Sequence, residues 1–230
     1  MALFESIIFS SVSGKLGGVV FSRNKGGSYI RGKGNPTNPN TAAQIASRTA
    51  LSTLVDSWTN LLTQAQRDAW IVYALNTPVL NRLGQTKTIS GQQMYVRSNT
   101  PRIRAGIARV DDGPTLFDLG TFTTPSFTVS AGDPAALVIT FTDTDEWANA
   151  AGGFLIGLAS RGQNATKVFF KAPFQLSGSI AGDPVPPASP TTLTSPFTYA
   201  QGQKVFLSFR ASQDDGRLST TQIVDTIVTA

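Results

Sequence analysis

Lys15, Arg23, Lys25, Arg31 and Lys33 fall between Gly14 and Gly34, interleaved with Phe21 and Tyr29. Cations spaced in this way suit contact with phosphates, and rings between them suit stacking on bases or sugars. The same residues suit an arm that lies in a groove between acidic protein subunits. Protein contact is the preferred reading, because no recognised nucleic-acid-binding motif accompanies the charge. Lys15, Arg23, Lys25, Tyr29, Arg31 and Lys33 are therefore the candidate partner-binding residues, toward protein or nucleic acid.

Other reactive patterns are sparse. Ser13-Gly14-Lys15-Leu16 has the Gly-Lys pair of a phosphate-binding loop. It lacks both the glycine five positions earlier, where Phe9 stands, and the hydroxyl after the lysine, so a flexible basic segment is expected instead. Asp143, Asp145 and Glu146 could begin a calcium site, but no loop glycine or distal Glu follows in register. They read as a solvated turn, as do Asp111-Asp112 and Asp214-Asp215. The chain has neither histidine nor cysteine. Ser-His and Cys-His nucleophiles, thiolate metal sites and disulfides are thereby excluded. The expectation is a protein that is not an enzyme and carries no cofactor or metal.

Charge divides the chain. Residues 1–110 hold 13 Lys+Arg and 3 acids, net +10, whereas residues 111–230 hold 6 Lys+Arg and 11 acids, net −5. Such a split predicts modules with different partners. Seven glycines lie between Gly14 and Gly34. Glycine-rich sequence is costly to order, so residues 1–40 are expected to be an extended basic arm whose short apolar pieces add to a neighbouring sheet edge. Asn35-Pro36 and Asn38-Pro39 connect it onward.

Three capping boxes follow: Thr41 with Gln44, Thr63 with Gln66, Ser90 with Gln93. They predict helices over about 42–61, from 64 to 75, and from 91 to just before Pro101. Ile45, Leu51, Val55, Trp58 and Leu62 form the expected inward stripe of the first helix. In the second, Ala69, Val72 and Tyr73 are expected inward and Trp70 at the border. Gly84 and the 86–89 run suggest a turn and short strand between helices two and three. Arg97, Arg102, Arg104 and Arg109 read as a basic surface or a solvated helix end.

Asp111-Asp112-Gly113-Pro114 is a turn signal and the expected domain boundary. Beyond it the period becomes strand-like, with candidate strands at 122–129, 137–142, 154–160, 168–176, 205–211 and 223–228. Residues 178–197, rich in Pro, Ser and Thr, are expected to be a long exposed loop. The fold class expected is α+β and multidomain: an extended basic arm (1–40), a small helical domain (41–112) and an antiparallel β-sandwich (113–230) able to fold alone. The first residues lack a signal-peptide pattern, and no stretch approaches the roughly 20 apolar residues of a membrane span. A protein made in a cytoplasm and not inserted in a membrane is expected.

The β half resembles a fibronectin type III, immunoglobulin-like domain. Lys204-Val205-Phe206-Leu207-Ser208-Phe209-Arg210-Ala211, the Asp214–Ser219 turn and a last strand to Val228 carry the resemblance. The corner tyrosine usual near Phe206 is absent, and Trp147 falls in an expected loop rather than in an early core strand. Gly17-Gly18-Val19-Val20-Phe21, Gly27-Ser28-Tyr29-Ile30-Arg31, Asn38-Pro39-Asn40-Thr41, the Leu62–Trp70 run and Ser90-Gly91-Gln92-Gln93-Met94-Tyr95 resemble an uncharacterised family found in phages and prophages. That resemblance implies a virion structural protein: a capsid-associated, connector or tail component. It would be made in the host cytoplasm and present in several copies, with other virion proteins as partners. The alternative is a nucleic-acid-binding protein whose basic arm lies on phosphates.

Overall fold

The computed structural model describes residues 2–3, 12–24, 27–35, 37–80 and 85–230. The protein is α+β, with helices and several antiparallel sheets in one chain. It divides into two compact units, Met1–Ala42 and Ala43–Ala230.

In the first unit, β1 (Ala2–Leu3), β2 (Gly14–Leu16), β3 (Val19–Asn24) and β4 (Gly27–Gly32) form an antiparallel sheet in the order β1-β4-β3-β2. These strands pair with one another, which corrects the expected extended arm over the residues described. The reason lies in the glycines. Leu16 faces Val19 across the two-residue turn Gly17-Gly18, with Gly17 at φ 55°. A tight hairpin turn needs positive φ, which glycine adopts without strain. The glycines counted as an entropic cost therefore mark a turn, and the apolar pieces between them are strands. No described residue from 12 to 42 is buried.

The long helices are α1 (Ala42–Asn60), which lies in the second unit from Ala43 onward, α2 (Gln64–Asn76) and α3 (Gly91–Arg104). Thr63 and Ser90 cap α2 and α3 in complete capping boxes with Gln66 and Gln93. Between these two helices β5 (Val79–Leu80) pairs with β6 (Thr86–Lys87), and the expected turn at Gly84 lies outside the described residues. Leu54, Leu62, Trp70, Tyr73, Met94 and Tyr95 make the helical core. The inward stripe expected on α1 holds at its end, where Leu62 is buried and Trp58 packs on the core, but is displaced before that: Ile45, Leu51 and Val55 are exposed, while Ala50, Leu54 and Ser57 are buried. At 100° per residue these sets lie on different sides of the helix. The small Ala50 and Ser57 flank Leu54 on the buried side, where Ser57 also accepts a hydrogen bond from Arg109. On α2, Trp70 is fully buried and Val72 exposed, the reverse of expectation. The Trp70 ring meets both Tyr73 and Tyr95 edge-on, and its Nε1–H reaches the Asp111 carbonyl at 2.9 Å. Pro101 does not stop α3, which continues to Arg104.

The remaining strands are β7 (Ser126–Ser130), β8 (Asp133–Thr140), β9 (Phe154–Ala159), β10 (Gln175–Ala181), β11 (Thr191–Thr194), β12 (Lys204–Ser212) and β13 (Gln222–Ile227), with a short α4 (Glu146–Asn149). They form two antiparallel sheets, β11-β8-β7 and β10-β9-β12-β13. Phe127, Leu137 and Ile139 from one sheet and Leu155, Leu207 and Phe209 from the other share one apolar core. Trp147, expected in a loop, sits on α4 in that core against Phe141. The expected strand over 168–176 begins only at Gln175, and Val168 and Phe169 are 86% and 71% exposed. The expected loop over 178–197 contains most of β10 and all of β11, whose Leu193 reaches the core. Pro and Ser on both sides hid a strand of only four residues.

Candidate functional site

Register sorts the basic residues of the first unit. Lys15 faces Val20, and Val20 faces Arg31, so these three share one face of the sheet. Tyr29, two residues before Arg31, points to the same side because side chains alternate along a strand. Arg23 faces Ser28 and lies on the opposite face with Leu16, Val19, Phe21 and Ile30. One face is thus basic and aromatic, and the other is mainly apolar. Lys15 and Arg31 sit two strands apart, about 10 Å between Cα atoms. Lys33 follows β4 and its backbone N–H donates to the Gly18 carbonyl at 2.8 Å. Lys25 lies outside the described residues. Of the six candidates, the structure therefore groups Lys15, Tyr29 and Arg31. Gly14 and Lys15 belong to a hairpin strand and precede no helix, unlike the glycine-lysine pair of a phosphate loop.

Arg97, Arg102, Arg104 and Arg109 do not form one basic surface. Arg102 is buried. Its Nε donates to the Ala108 carbonyl, and Nη1 lies within reach of the Gly152 carbonyl, Ser212 Oγ and the Gln213 carbonyl at 3.2, 2.9 and 3.0 Å. The guanidinium also stacks over Phe154, and burial lowers its pKa against the opposing pull of Asp214 and Asp215. This anchoring explains why α3 runs past Pro101: the turn lacking an amide N–H is fixed by the side chain that follows it.

Arg109 pairs with Asp111 at 2.7 Å and donates to Ser57 Oγ at 2.9 Å. Asp111 also accepts from the Tyr95 hydroxyl at 3.0 Å. Burial first, and the Asp111 charge second, push the Tyr95 hydroxyl well above its ordinary pKa. Asn99 holds Val110 at both its N–H and its carbonyl. An added Cβ at Gly113 would lie 2.6 Å from the Trp70 nitrogen. The segment expected to be a solvated boundary turn is packed against α2 and α3.

Asp145, Glu146 and Asp215 are structural as well. Asp145 is buried and accepts from the backbone N–H and the hydroxyl of Thr123. Glu146 and Asp215 each pair with the buried Arg217 at 2.7 Å. Burial works against the Arg217 charge, but Glu146 and Asp215 outweigh it and raise the pKa. Arg217 Nη1 also donates to the Asp118 carbonyl. These two carboxylates and Asp145 hold the 118–123 segment and the 214–217 turn in place, which corrects the reading of solvated turns at Asp145, Glu146 and Asp215, whereas Asp143 and Asp214 are exposed. Among the described residues, no helix is long and apolar enough to cross a membrane.

Sequence reasoning missed Arg102 and Arg217 as interior groups, and the half-burial of Arg210. The alternation of β12, where Val205, Leu207, Phe209 and Ala211 face the core and Phe206, Ser208 and Arg210 face away, places Arg210 on the outer face of its sheet but gives no sign that α3 covers it.

No family model matches the chain, and neither curated proteins nor solved structures give a significant match.

Proposed function

We propose that the chain is a structural component of a phage particle, capsid-associated or part of the connector or tail, present in several copies. Its first unit is the attachment element. The observation that carries this reading is that a four-stranded sheet with one basic and one mainly apolar face has no buried described residue. A sheet hydrophobic on one face must cover it against another layer, and the basic face then meets acidic protein surface. Helix α1 adds a second contact, since Ile45, Leu51 and Val55 are exposed on one side of it.

Residues 113–230 are read as a fibronectin-type-III-like sandwich that projects or bridges neighbours. The strand order supports this, since the chain changes sheet between β8 and β9, β10 and β11, and β11 and β12, in the manner of a Greek key. Tyr199, in the connection from β11 to β12 and seven residues before Phe206, is buried and ties that connection to the end of β9. Its hydroxyl is 2.8 Å from Ser195 Oγ and donates to the Ser160 carbonyl.

Antibodies to residues 113–230 should decorate purified particles, and a chain lacking residues 1–34 should stay soluble but be missing from them. If particles carry none of the protein and the full chain instead retains DNA with steep salt dependence, the nucleic-acid alternative takes its place.

A further inference from the structure

A cavity of about 370 Å³ lies between α3 and the outer face of the β10-β9-β12-β13 sheet. Arg97, Thr100, Pro101 and Arg104 line one side, at the i, i+3, i+4, i+7 spacing of a single helical face. On the other side Arg210 and Ser208 project from β12, beside Ile156 and Leu158 of β9 and Leu176 of β10. The register sets them together, because Arg210 faces Ile156 and Ser208 faces Leu158. The lining therefore combines three guanidinium groups, hydroxyls and an apolar floor, and includes no carboxylate.

The three arginines differ from the others nearby. Arg102, Arg109 and Arg217 are each saturated with carbonyls, hydroxyls or carboxylates. Among the described residues, Arg210 Nε is buried with no hydrogen-bond partner. Arg97 has only a long contact to Met94 Sδ at 3.8 Å, and Arg104 is exposed. Burial and the neighbouring Arg97 together lower the Arg210 pKa to about 10, which leaves the group charged at neutral pH. A half-buried charge whose Nε is shut off from solvent is costly to leave without a counter-charge. Sheet and helix hold like charges around one space without supplying the partner.

We infer that this cavity is a binding site for a compact organic dianion, a phosphate monoester or a dicarboxylate carried on a short apolar body. A single negative charge leaves two of the three guanidinium groups unmatched. A phosphate or a pair of carboxylates offers the planar oxygen edges that guanidinium groups bind two at a time. The volume corresponds to roughly a dozen waters, at about 30 Å³ each, so it holds more than a bare ion. Ile156, Leu158 and Leu176 receive the apolar body, and Thr100, Ser208 and Thr221 supply hydroxyl donors to the oxygens. The inference is independent of any role in a particle, since none of these residues lies in the first unit.

Phenyl phosphate, phenylsuccinate, inorganic phosphate and the monoanion benzoate are titrated into the full chain at low salt, by calorimetry and by melting temperature. One of the two phenyl dianions should bind at one site per chain, at least tenfold tighter than benzoate or inorganic phosphate, and the better of the two tells phosphate from dicarboxylate chemistry. Arg97→Gln and Arg104→Gln should each weaken it about tenfold or more. Arg210→Met should abolish it and leave the ligand-free melting temperature unchanged or raised, because it removes an unmatched, half-buried charge. Three results overturn the proposal. The first is no saturable binding of either dianion by about 1 mM. The second is binding that survives all three substitutions but is lost in Lys15→Gln/Arg31→Gln. The third is a lowered ligand-free melting temperature in Arg210→Met, which would make the guanidinium a structural group.

Discussion

Arg102 Nη1 lies 3.0 Å from the carbonyl of Gln213, 111 residues further along the chain. The same nitrogen reaches Ser212 Oγ and the Gly152 carbonyl. The helical core and the β core share no residue, one drawn from 54–95 and the other from 127–228. A single buried guanidinium is thus a principal tie between two separately packed cores.

Arg102→Ala should destabilise the second unit by about 3 kcal/mol, because four acceptors, two of them in buried hydrogen bonds, lose their donor at once. Urea unfolding followed by tryptophan fluorescence and by far-UV circular dichroism would test it. If the two probes separate in the variant but coincide in the wild type, the cores have been uncoupled. A loss below about 1 kcal/mol would mean that water replaces the guanidinium at little cost.

Residues 113–230 expressed alone should still melt cooperatively, since every buried member of their core lies between Phe127 and Val228. Their melting temperature should nevertheless fall below that of the full chain, because Gly152, Ser212 and Gln213 lose Arg102. A fragment without a cooperative transition would show that the helices complete the sheet core.

Tyr95 gives a pH signature. Its folded pKa is raised, so the native state holds a proton that the unfolded chain releases above about pH 10. Stability from this group is fully present below that value and declines as pH rises beyond it, by about 1.4 kcal/mol per pH unit while only the native state is protonated. Tyr95→Phe should flatten the decline by about that slope, whatever its effect on stability at neutral pH. Parallel curves for variant and wild type between pH 10 and 11 would refute the assignment.

Gly182 shows how tightly Trp147 is seated. A Cβ there would fall 1.9 Å from the Trp147 carbonyl oxygen. Gly182→Ala should cost about 2 kcal/mol or more, since backbone must move. Gly132→Ala is the control: its added carbon meets nothing nearer than Ser130 Oγ at 3.5 Å. A shift within about 0.5 kcal/mol is expected there.

Local grammar was readable in advance where one residue type has one use. Thr63 with Gln66 and Ser90 with Gln93 start helices where their hydroxyls and amides can close a box. The alternation from Val205 to Ala211 identifies β12. What escaped depended on partners distant in sequence. Arg102 has the same helix-end surroundings as Arg104, and only carbonyls from β9 and β12 neighbours decide which is interior. Ile45 and Leu51 are as apolar as Leu54, and the position of α2 and α3 determines which side of α1 is covered. Asp111 reads as a turn residue until Tyr95, Arg109 and Trp70 converge on it. The basic cluster of the first unit was visible as composition, but its division into two faces needed the register across Gly17-Gly18.

The two faces of that sheet respond to opposite handles. Charge contacts made by Lys15 and Arg31 weaken as added salt shortens the screening length. Apolar contacts made by Leu16, Val19, Phe21 and Ile30 weaken on cooling and tighten in sulfate or phosphate salts. An assembly seated through both faces would therefore come apart most readily in cold, concentrated chloride. Either chill or salt alone would loosen one grip and leave the other.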